Sequence, residues 1–147
     1  MSVRACPSDA AVVVRARIGV RGVRVGPSTM PGARRGLFAG DCAFEQGEII
    51  TRYEGLTLRL EEARRRAVQT HMASLSYGLV VSGLRQPMVG RGGGSFANDC
   101  PGRYNAEKYT WLGQIFLRAT RRISPGEEVF WPYGAQGFEV AMGRVRL

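Results

Sequence analysis

The stretch that decides the fold lies near the C-terminal end of the chain: Ile123–Gly134, with the sequence ISPGEEVFWPYG. The proline and glycine at positions 125 and 126 predict a turn. The residues that follow, Glu128–Trp131, have the apolar and aromatic content of a short strand. Three aromatic side chains stand close together here, and Tyr133 is the last of them. The stretch therefore predicts a turn and a strand that ends in an aromatic cluster.

Two earlier segments complete a pattern with this stretch. Pro31–Ala39 is a loop that leads into a short apolar strand, and Ser95–Asn105 has the sequence SFANDCPGRYN. In this order and spacing, the three segments resemble the motifs of the SET-domain methyltransferases. Gly36 matches the second glycine of the family's Gly-x-Gly loop, and Arg34 occupies the place of the first.

The second segment departs from the family pattern at two points. Asn98 matches the asparagine that, in the family, holds the methionine end of the cofactor. Asp99 replaces the usual histidine, and one extra residue separates Asn98 from Asn105. Because the family's contacts at the histidine position are made largely by the backbone, we expect Asp99 to be tolerated.

The resemblance implies an enzyme that transfers a methyl group from S-adenosylmethionine to a protein lysine, without a metal, and that releases S-adenosylhomocysteine. Tyr133 falls on the family's catalytic tyrosine. The implied cofactor-binding residues are Arg34, Arg35, Gly36, Leu37, Tyr77, Asn98, Asp99 and Tyr133. The lysine channel is expected to be lined by Trp131, Tyr104 and Phe138. The bulk of Trp131 leaves little room for an amine that already carries a methyl group, so we expect mainly monomethylation.

The apolar pattern agrees with the fold that the resemblance implies. Short strands are predicted at 12–25, 37–39, 48–55, 76–81, 114–119 and 128–131, and a helix at Leu58–Thr70. Many short strands with one helix predict a β-rich α+β domain. The resemblance makes it a SET fold of several short sheets with a knot-like C-terminal crossing. Residues 22–138 form the SET domain, preceded by a basic strand segment of the same domain (1–21) and followed by a short tail (139–147).

The charge balance is strongly basic. Arg and Lys total 21 against 12 Asp and Glu, which gives a formal net charge of +9, and Lys108 is the only lysine. A surface rich in arginine favours nucleic acid or a nucleosome as a partner. Carboxylates near the motifs, Glu54, Asp99, Glu107, Glu127 and Glu128, could still form a locally acidic groove for a lysine-containing peptide.

Cysteine and histidine usage limits other chemistries. The three cysteines, Cys6, Cys42 and Cys100, form no Cys-x-x-Cys pair, so we expect reduced thiols in an intracellular compartment. With His71 as the only histidine, neither a zinc cluster nor a Ser-His-Asp triad is expected. No apolar run is long enough to span a membrane. If the substrate is a histone, the protein belongs in the nucleus.

Two alternatives to an active enzyme stay open. Arg34 and Asp99 are compatible with a catalytically degenerate SET fold that acts as a binding module. A small, unrelated, basic nucleic-acid-binding protein would need stacking aromatics on one strand face, whereas the aromatics here are dispersed. The channel also needs closing on its C-terminal side, by Phe138 or by a second subunit, which makes a homodimer an option.

Overall fold

The computed structural model describes residues 22–66, 71–76, 78–88 and 90–133. The segments 1–21 and 139–147, together with Tyr77 and Phe138, lie outside the described residues. Within the described ranges the chain forms three antiparallel sheets of three strands each. The strands are β1 (Val23–Pro27), β2 (Arg35–Ala39), β3 (Ile49–Tyr53), β4 (Gly55–Arg59), β5 (Met72–Ser76), β6 (Leu79–Gly83), β7 (Ala106–Trp111), β8 (Gln114–Ala119) and β9 (Glu128–Val129). One α-helix, α1 (Leu60–Arg64), and a short 3-10 turn (Gly94–Phe96) complete them.

The first sheet has the order β1-β2-β9 and carries the C-terminal motif. Leu37 in β2 lies opposite Val129 in β9. Directly after β9, Phe130 pairs in parallel with Asn98, and the Trp131 backbone N–H donates to the Asn98 carbonyl at 3.1 Å. The chain from 128 to 131 is therefore inserted between β2 and the Asn98 segment. This is the C-terminal crossing that the SET resemblance implies, and the β-rich α+β fold is confirmed.

The main core fills the space between the sheets. Its fully buried members include Leu37, Ile50, Ile115, Leu117 and Val129. They come from the first sheet and from the second, which has the order β3-β8-β7. Their burial removes apolar surface from water, which is the dominant favourable contribution to folding. The core thus fixes both β2 and β9, the two strands that border the motif segments.

The third sheet, β4-β6-β5, carries α1 on a smaller cluster made of Leu58, Ala63 and Val80. The helix is shorter than predicted, because β4 continues through Arg59 and α1 begins only at Leu60. The Arg59 backbone N–H donates to the Glu62 carboxylate at 3.2 Å, which satisfies a donor at the helix start. Residues 67–70, at the end of the predicted helix, lie outside the described part of the chain.

Two predicted strands are each divided in the structure. The strand predicted at 48–55 ends at Tyr53, and β4 then begins in a different sheet. The strand predicted at 76–81 is the junction of β5 and β6, where Gly78 has a φ of +77°. A continuous β pattern thus concealed a change of sheet in one case and a reversal of direction in the other.

Cysteine status and membrane spans also bear on the sequence analysis. Cys42 is disulfide-bonded, whereas Cys100 is a free thiol. The expectation of three reduced thiols is therefore wrong at Cys42. Within the described ranges, no helix has the length and apolar character needed to cross a membrane.

Candidate active site

Tyr133, the predicted catalytic residue, is held at two points. Its hydroxyl donates to the Ala97 carbonyl at 2.7 Å, and its backbone N–H donates to the Asp99 carboxylate at 3.1 Å. Burial raises the pKa of Tyr133 above its usual value, and the negative charge of Asp99 raises it further. The phenol therefore stays neutral at physiological pH, with an oxygen that can still accept a hydrogen bond.

The rings of Tyr133 and Tyr53 both contact the ring of Trp131. Trp131 is 4% exposed, and its ring centroid lies 5.0 Å from that of Tyr133 and 6.0 Å from that of Tyr53. Burial, and then the neighbouring Tyr133, raise the pKa of Tyr53 well above its usual value. The sequence pattern predicted Tyr53 only as a residue of a strand. The structure adds Tyr53 to the site, where its side chain supplies an apolar ring and a polar hydroxyl group.

The indole N–H of Trp131 is an unusual feature of this cluster. Among the described residues, it is a buried donor without a hydrogen-bond partner. A buried polar group without a partner is costly, and such groups mark places where a ligand or water supplies the missing acceptor. The aromatic cluster is therefore suited to receive a polar group.

Asn98 connects the two other motif segments. Its side-chain amide donates to the Arg35 carbonyl at 2.8 Å and to the Ser28 hydroxyl at 3.2 Å. The N–H groups of the amide are thus used within the chain, and a contact with a cofactor would have to use the side-chain oxygen or the backbone. Asn98 brings the loop before β2 against the segment that leads to Tyr133.

The other residues of the first motif differ in which of their atoms could contact a ligand. Arg34 is exposed, and the Arg35 guanidinium donates to the Gln86 side chain and the Arg85 carbonyl. Leu37 is fully buried in the core, so only its backbone could meet a ligand. A Cβ atom at Gly36 would overlap the Glu128 carboxylate, which explains why glycine is needed here.

Glu128, which the sequence suggested only as part of a locally acidic groove, is a buried carboxylate. It accepts hydrogen bonds from the Ser28 hydroxyl (2.6 Å), the Thr29 backbone (2.8 Å) and the Thr29 hydroxyl (2.6 Å). Burial alone would raise the pKa of Glu128, but these hydrogen bonds outweigh it and lower the pKa. The charged carboxylate fixes residues 28–29 beside Asn98. Its position in the Gly-Glu-Glu motif is the signal that could have identified it.

Most of the glycine-rich stretch 90–95 is packed against the rest of the protein. Residues 92–95 are buried, and a Cβ atom at Gly94 would lie 2.9 Å from the Tyr53 Cα. The Glu54 carboxylate binds the Gly92 backbone N–H and the Arg91 guanidinium. These glycines allow close packing against β3 and so support the turn that leads to Asn98.

The structure therefore brings together most of the predicted site. Tyr133, Trp131, Tyr104, Asp99 and Asn98 form one contiguous group, joined to the Arg35 backbone. Whether each contacts a cofactor or a substrate stays a prediction, as it does for Tyr77 and Phe138. The indole N–H of Trp131, which has no hydrogen-bond partner among the described residues, is the feature of this group that fits a polar ligand. Within the described residues, no group of three or more potential ligands could hold a metal ion.

Comparison with known proteins assigns the family. Residues 34–134 match the family model of the SET domain. The chain belongs to the SET-domain family. Comparison with curated proteins gives no significant match.

Solved structures with a similar fold include chains of Polycomb Repressive Complex 2 from Chaetomium thermophilum. Chaetomium thermophilum Polycomb Repressive Complex 2 bound to GSK126 superposes with a TM-score of 0.66 at 22% identity, over 82% of this chain and 17% of that chain. The same complex in an autoinhibited conformation bound to S-adenosylmethionine gives a TM-score of 0.64 at 22% identity, over 83% and 16%. This chain therefore spans about one sixth of the length of those chains. At this identity the likeness establishes the fold.

Proposed function

We propose that this protein is an S-adenosylmethionine-dependent methyltransferase that acts on the ε-amine of a protein lysine. The observation that carries the proposal is the position of Tyr133. Its neutral hydroxyl is fixed on the Ala97 carbonyl, beside Trp131 and next to the junction that Asn98 makes with the Arg35 backbone. A fixed phenol between two motif segments is suited to orient an amine for methyl transfer.

The aromatic cluster would prepare the lysine for reaction. A free lysine has a pKa of about 10.4 and is protonated at neutral pH. Enclosure by the rings of Tyr53, Trp131 and Tyr133 disfavours the charged form, lowers the pKa of the amine and so exposes its lone pair. The Tyr133 oxygen can accept an N–H of the amine and thereby orient it. Positioning of this kind supplies a large part of the rate increase.

The cofactor would be held where the motif segments meet. The backbone of residues 35–37, the Asn98 side-chain oxygen and the Tyr133 region are the groups placed to bind it. When bound, S-adenosylmethionine supplies the electrophilic methyl group on a sulfonium. The chain's own contribution is to hold the amine in line and to exclude water with Trp131 and Tyr53.

The substrate is proposed to be a histone or another nucleic-acid-associated protein. Exposed arginines are distributed over the described surface, among them Arg34, Arg59, Arg65, Arg66 and Arg85. An Arg-rich surface can bind phosphate through bidentate hydrogen bonds. The enzyme would then reach its lysine through the nucleic acid that accompanies the substrate. A nuclear location follows if that substrate is chromatin.

An acidic groove is not a good basis for substrate recognition. Each carboxylate that could form it is engaged within the chain: Glu54 with Arg91, Glu107 with Arg118, Glu127 with Arg121, Glu128 with Ser28 and Thr29, and Asp99 with Tyr104 and Tyr133. Arginines offset the negative charges of Glu54, Glu107 and Glu127. The neutral partners of Asp99 and Glu128 leave those two charges in place, so the acidic potential available to a basic peptide is small. We therefore favour attraction through nucleic acid that accompanies the substrate.

A catalytically degenerate SET fold that serves as a binding module is the second candidate. Arg34 in place of glycine favours it, because the family's loop approaches the cofactor closely. An unrelated nucleic-acid-binding fold, by contrast, is excluded by membership of the SET family. If the folded wild type did not bind S-adenosylmethionine, the binding-module function would be favoured.

The proposal is tested by transfer of a radiolabelled methyl group from S-adenosylmethionine to core histones and to purified ribosomal proteins. We expect label on lysine with the wild type, and a loss of at least about 100-fold with Tyr133→Phe, because the hydroxyl that orients the amine is removed. The matched control is Tyr109→Phe, which alters a tyrosine on β7 outside the site. Equal labelling by wild type and Tyr133→Phe would contradict the assigned role of Tyr133.

A further inference from the structure

Asp99 has an arrangement that its place in the motif does not explain. One carboxylate oxygen accepts the Tyr104 hydroxyl at 2.5 Å, and the other accepts the Tyr133 backbone N–H at 3.1 Å. The two partners stand 5 and 34 residues away along the chain. Asp99 therefore joins the motif loop to the C-terminal segment that carries the reactive phenol.

A histidine at this position could not make the same two contacts. A neutral imidazole has one acceptor nitrogen and an imidazolium has none, whereas a carboxylate offers two oxygens. The substitution of aspartate for histidine is therefore required if both Tyr104 and Tyr133 are to be held by one side chain.

The extra residue in this motif supplies the second partner. Pro101 and Gly102 form a turn closed by the Arg103 N–H and the Cys100 carbonyl at 3.0 Å. Gly102 has a φ of +86°, as a turn with proline second and glycine third requires. The turn reverses the chain so that Tyr104 returns to Asp99. The two departures from the family pattern, aspartate for histidine and one additional residue, are thus complementary.

We propose that Asp99 is a positioning residue that clasps Tyr104 and the Tyr133 backbone, so that the Tyr133 hydroxyl stays on Ala97 and the Tyr104 ring forms one wall of the lysine channel. Its catalytic consequence rests on the proposed methyltransferase function. The hydrogen bond to Asp99 raises the pKa of Tyr104 to about 12, with smaller contributions from burial and from the charges of Asp99 and Cys100. Tyr104 is consequently a stable hydrogen-bond donor at neutral pH.

The clasp is tested first without reference to activity. A double-mutant cycle uses the unfolding equilibrium constants of wild type, Asp99→Ala, Tyr104→Phe and the double variant. We expect the effect of the double variant to differ from the product of the single effects by about tenfold, because the two groups share one hydrogen bond. Independent, multiplicative effects would overturn the clasp.

The positioning role is tested by kinetics and calorimetry on variants that are folded by circular dichroism. Asp99→Ala should lower kcat by about 10- to 100-fold, since the phenol loses its alignment, while the Kd of S-adenosylmethionine changes by less than about threefold. Asp99→Asn should retain part of the kcat, because its amide oxygen can still accept the Tyr133 N–H. Asp41→Ala is the matched control at an exposed aspartate and should match the wild type.

These experiments distinguish the positioning role of Asp99 from the proposed methyltransferase function. A kcat that is unchanged in Asp99→Ala, or one that falls only together with cofactor binding, would overturn the positioning role while the enzyme stands. A wild type that neither binds the cofactor nor transfers methyl groups would overturn the proposed function, and with it the catalytic role of Asp99.

Discussion

At the scale of single residues, Trp131 occupies space beside Tyr133, where the proposed function would place the reacting amine. Its ring is 4% exposed and packs against both Tyr53 and Tyr133. Interiors of this kind are close-packed, so the volume of one side chain decides what else can fit. On the proposed function, the bulk of Trp131 would limit the number of methyl groups that the amine can carry.

We predict that the wild type mainly monomethylates its substrate and that Trp131→Ala shifts the product towards dimethyl- and trimethyl-lysine. The removed indole leaves volume that additional methyl groups can occupy. Mass spectrometry of the methylated substrate counts the methyl groups. A dominant trimethyl product from the wild type would show that Trp131 does not restrict the channel.

Gly36 has an equally local role. A Cβ atom here would overlap the Glu128 carboxylate and lie 3.3 Å from the Ser28 Cβ. We predict that Gly36→Ala lowers the free energy of unfolding by about 2 kcal/mol, as is usual when an atom is forced into a filled space. Urea denaturation measures this change.

Gly26→Ala provides the control for Gly36. The two glycines pair across β1 and β2, but a Cβ atom at Gly26 would meet only the Phe38 ring, at 3.9 Å. We expect this variant to be as stable as the wild type. Equal losses in the two variants would show that the contact with Glu128 is not the cause.

At the scale of elements, the β7–β8 hairpin shows how an uncommon turn residue escapes prediction. Its two-residue loop consists of Leu112, with a φ of +49°, and Gly113, with a φ of +73°. Such turns favour Asn-Gly, and a leucine gives no turn signal. Strand β7 was therefore not predicted, although β8 was.

We predict that Leu112→Asn increases the free energy of unfolding by about 1 kcal/mol, because asparagine tolerates the left-handed conformation that leucine avoids. Leu112 is 76% exposed, so little packing is lost. Gly113→Ala should have the opposite effect in the same denaturation assay. A destabilised Leu112→Asn variant would mean that the leucine makes a contact that compensates for its strain.

The remaining differences between sequence and structure share one cause. The family was predicted correctly because three separated segments match its motifs in order and spacing, whereas the roles of Asn98 and Tyr133 stay predictions. The Gly-rich stretch, the break after Tyr53 and the role of Glu128 depend on which distant segment packs against them. Local patterns such as periodicity carry no information about those partners.

At the scale of the whole molecule, buried charge links stability to pH. The pKa of Glu128 is lowered in the folded protein from an ordinary value of 4.5. A carboxyl group whose pKa is lowered by folding contributes stability above its unfolded pKa, and this contribution is lost as the pH falls through its folded pKa. Acidification below about pH 4.5 should therefore weaken the fold.

We predict that Glu128→Gln is less stable than the wild type at neutral pH, because an amide N–H₂ group cannot accept the hydrogen bonds from Ser28 and Thr29. Its stability should also fall less steeply between about pH 5 and pH 2. Thermal unfolding at several pH values measures both effects. Parallel curves for the two proteins would show that Glu128 does not contribute to the acid sensitivity.

The central claim is that the meeting of the motif segments forms a cofactor site, and calorimetric titration with S-adenosylmethionine tests it most directly. We predict that the folded wild type binds one equivalent of the cofactor. Asn98→Ala should bind at least about tenfold more weakly, because the amide that ties residues 28 and 35 to the Tyr133 segment is lost. Absence of binding to the folded wild type would contradict the claim, and the binding-module function would then be the better account.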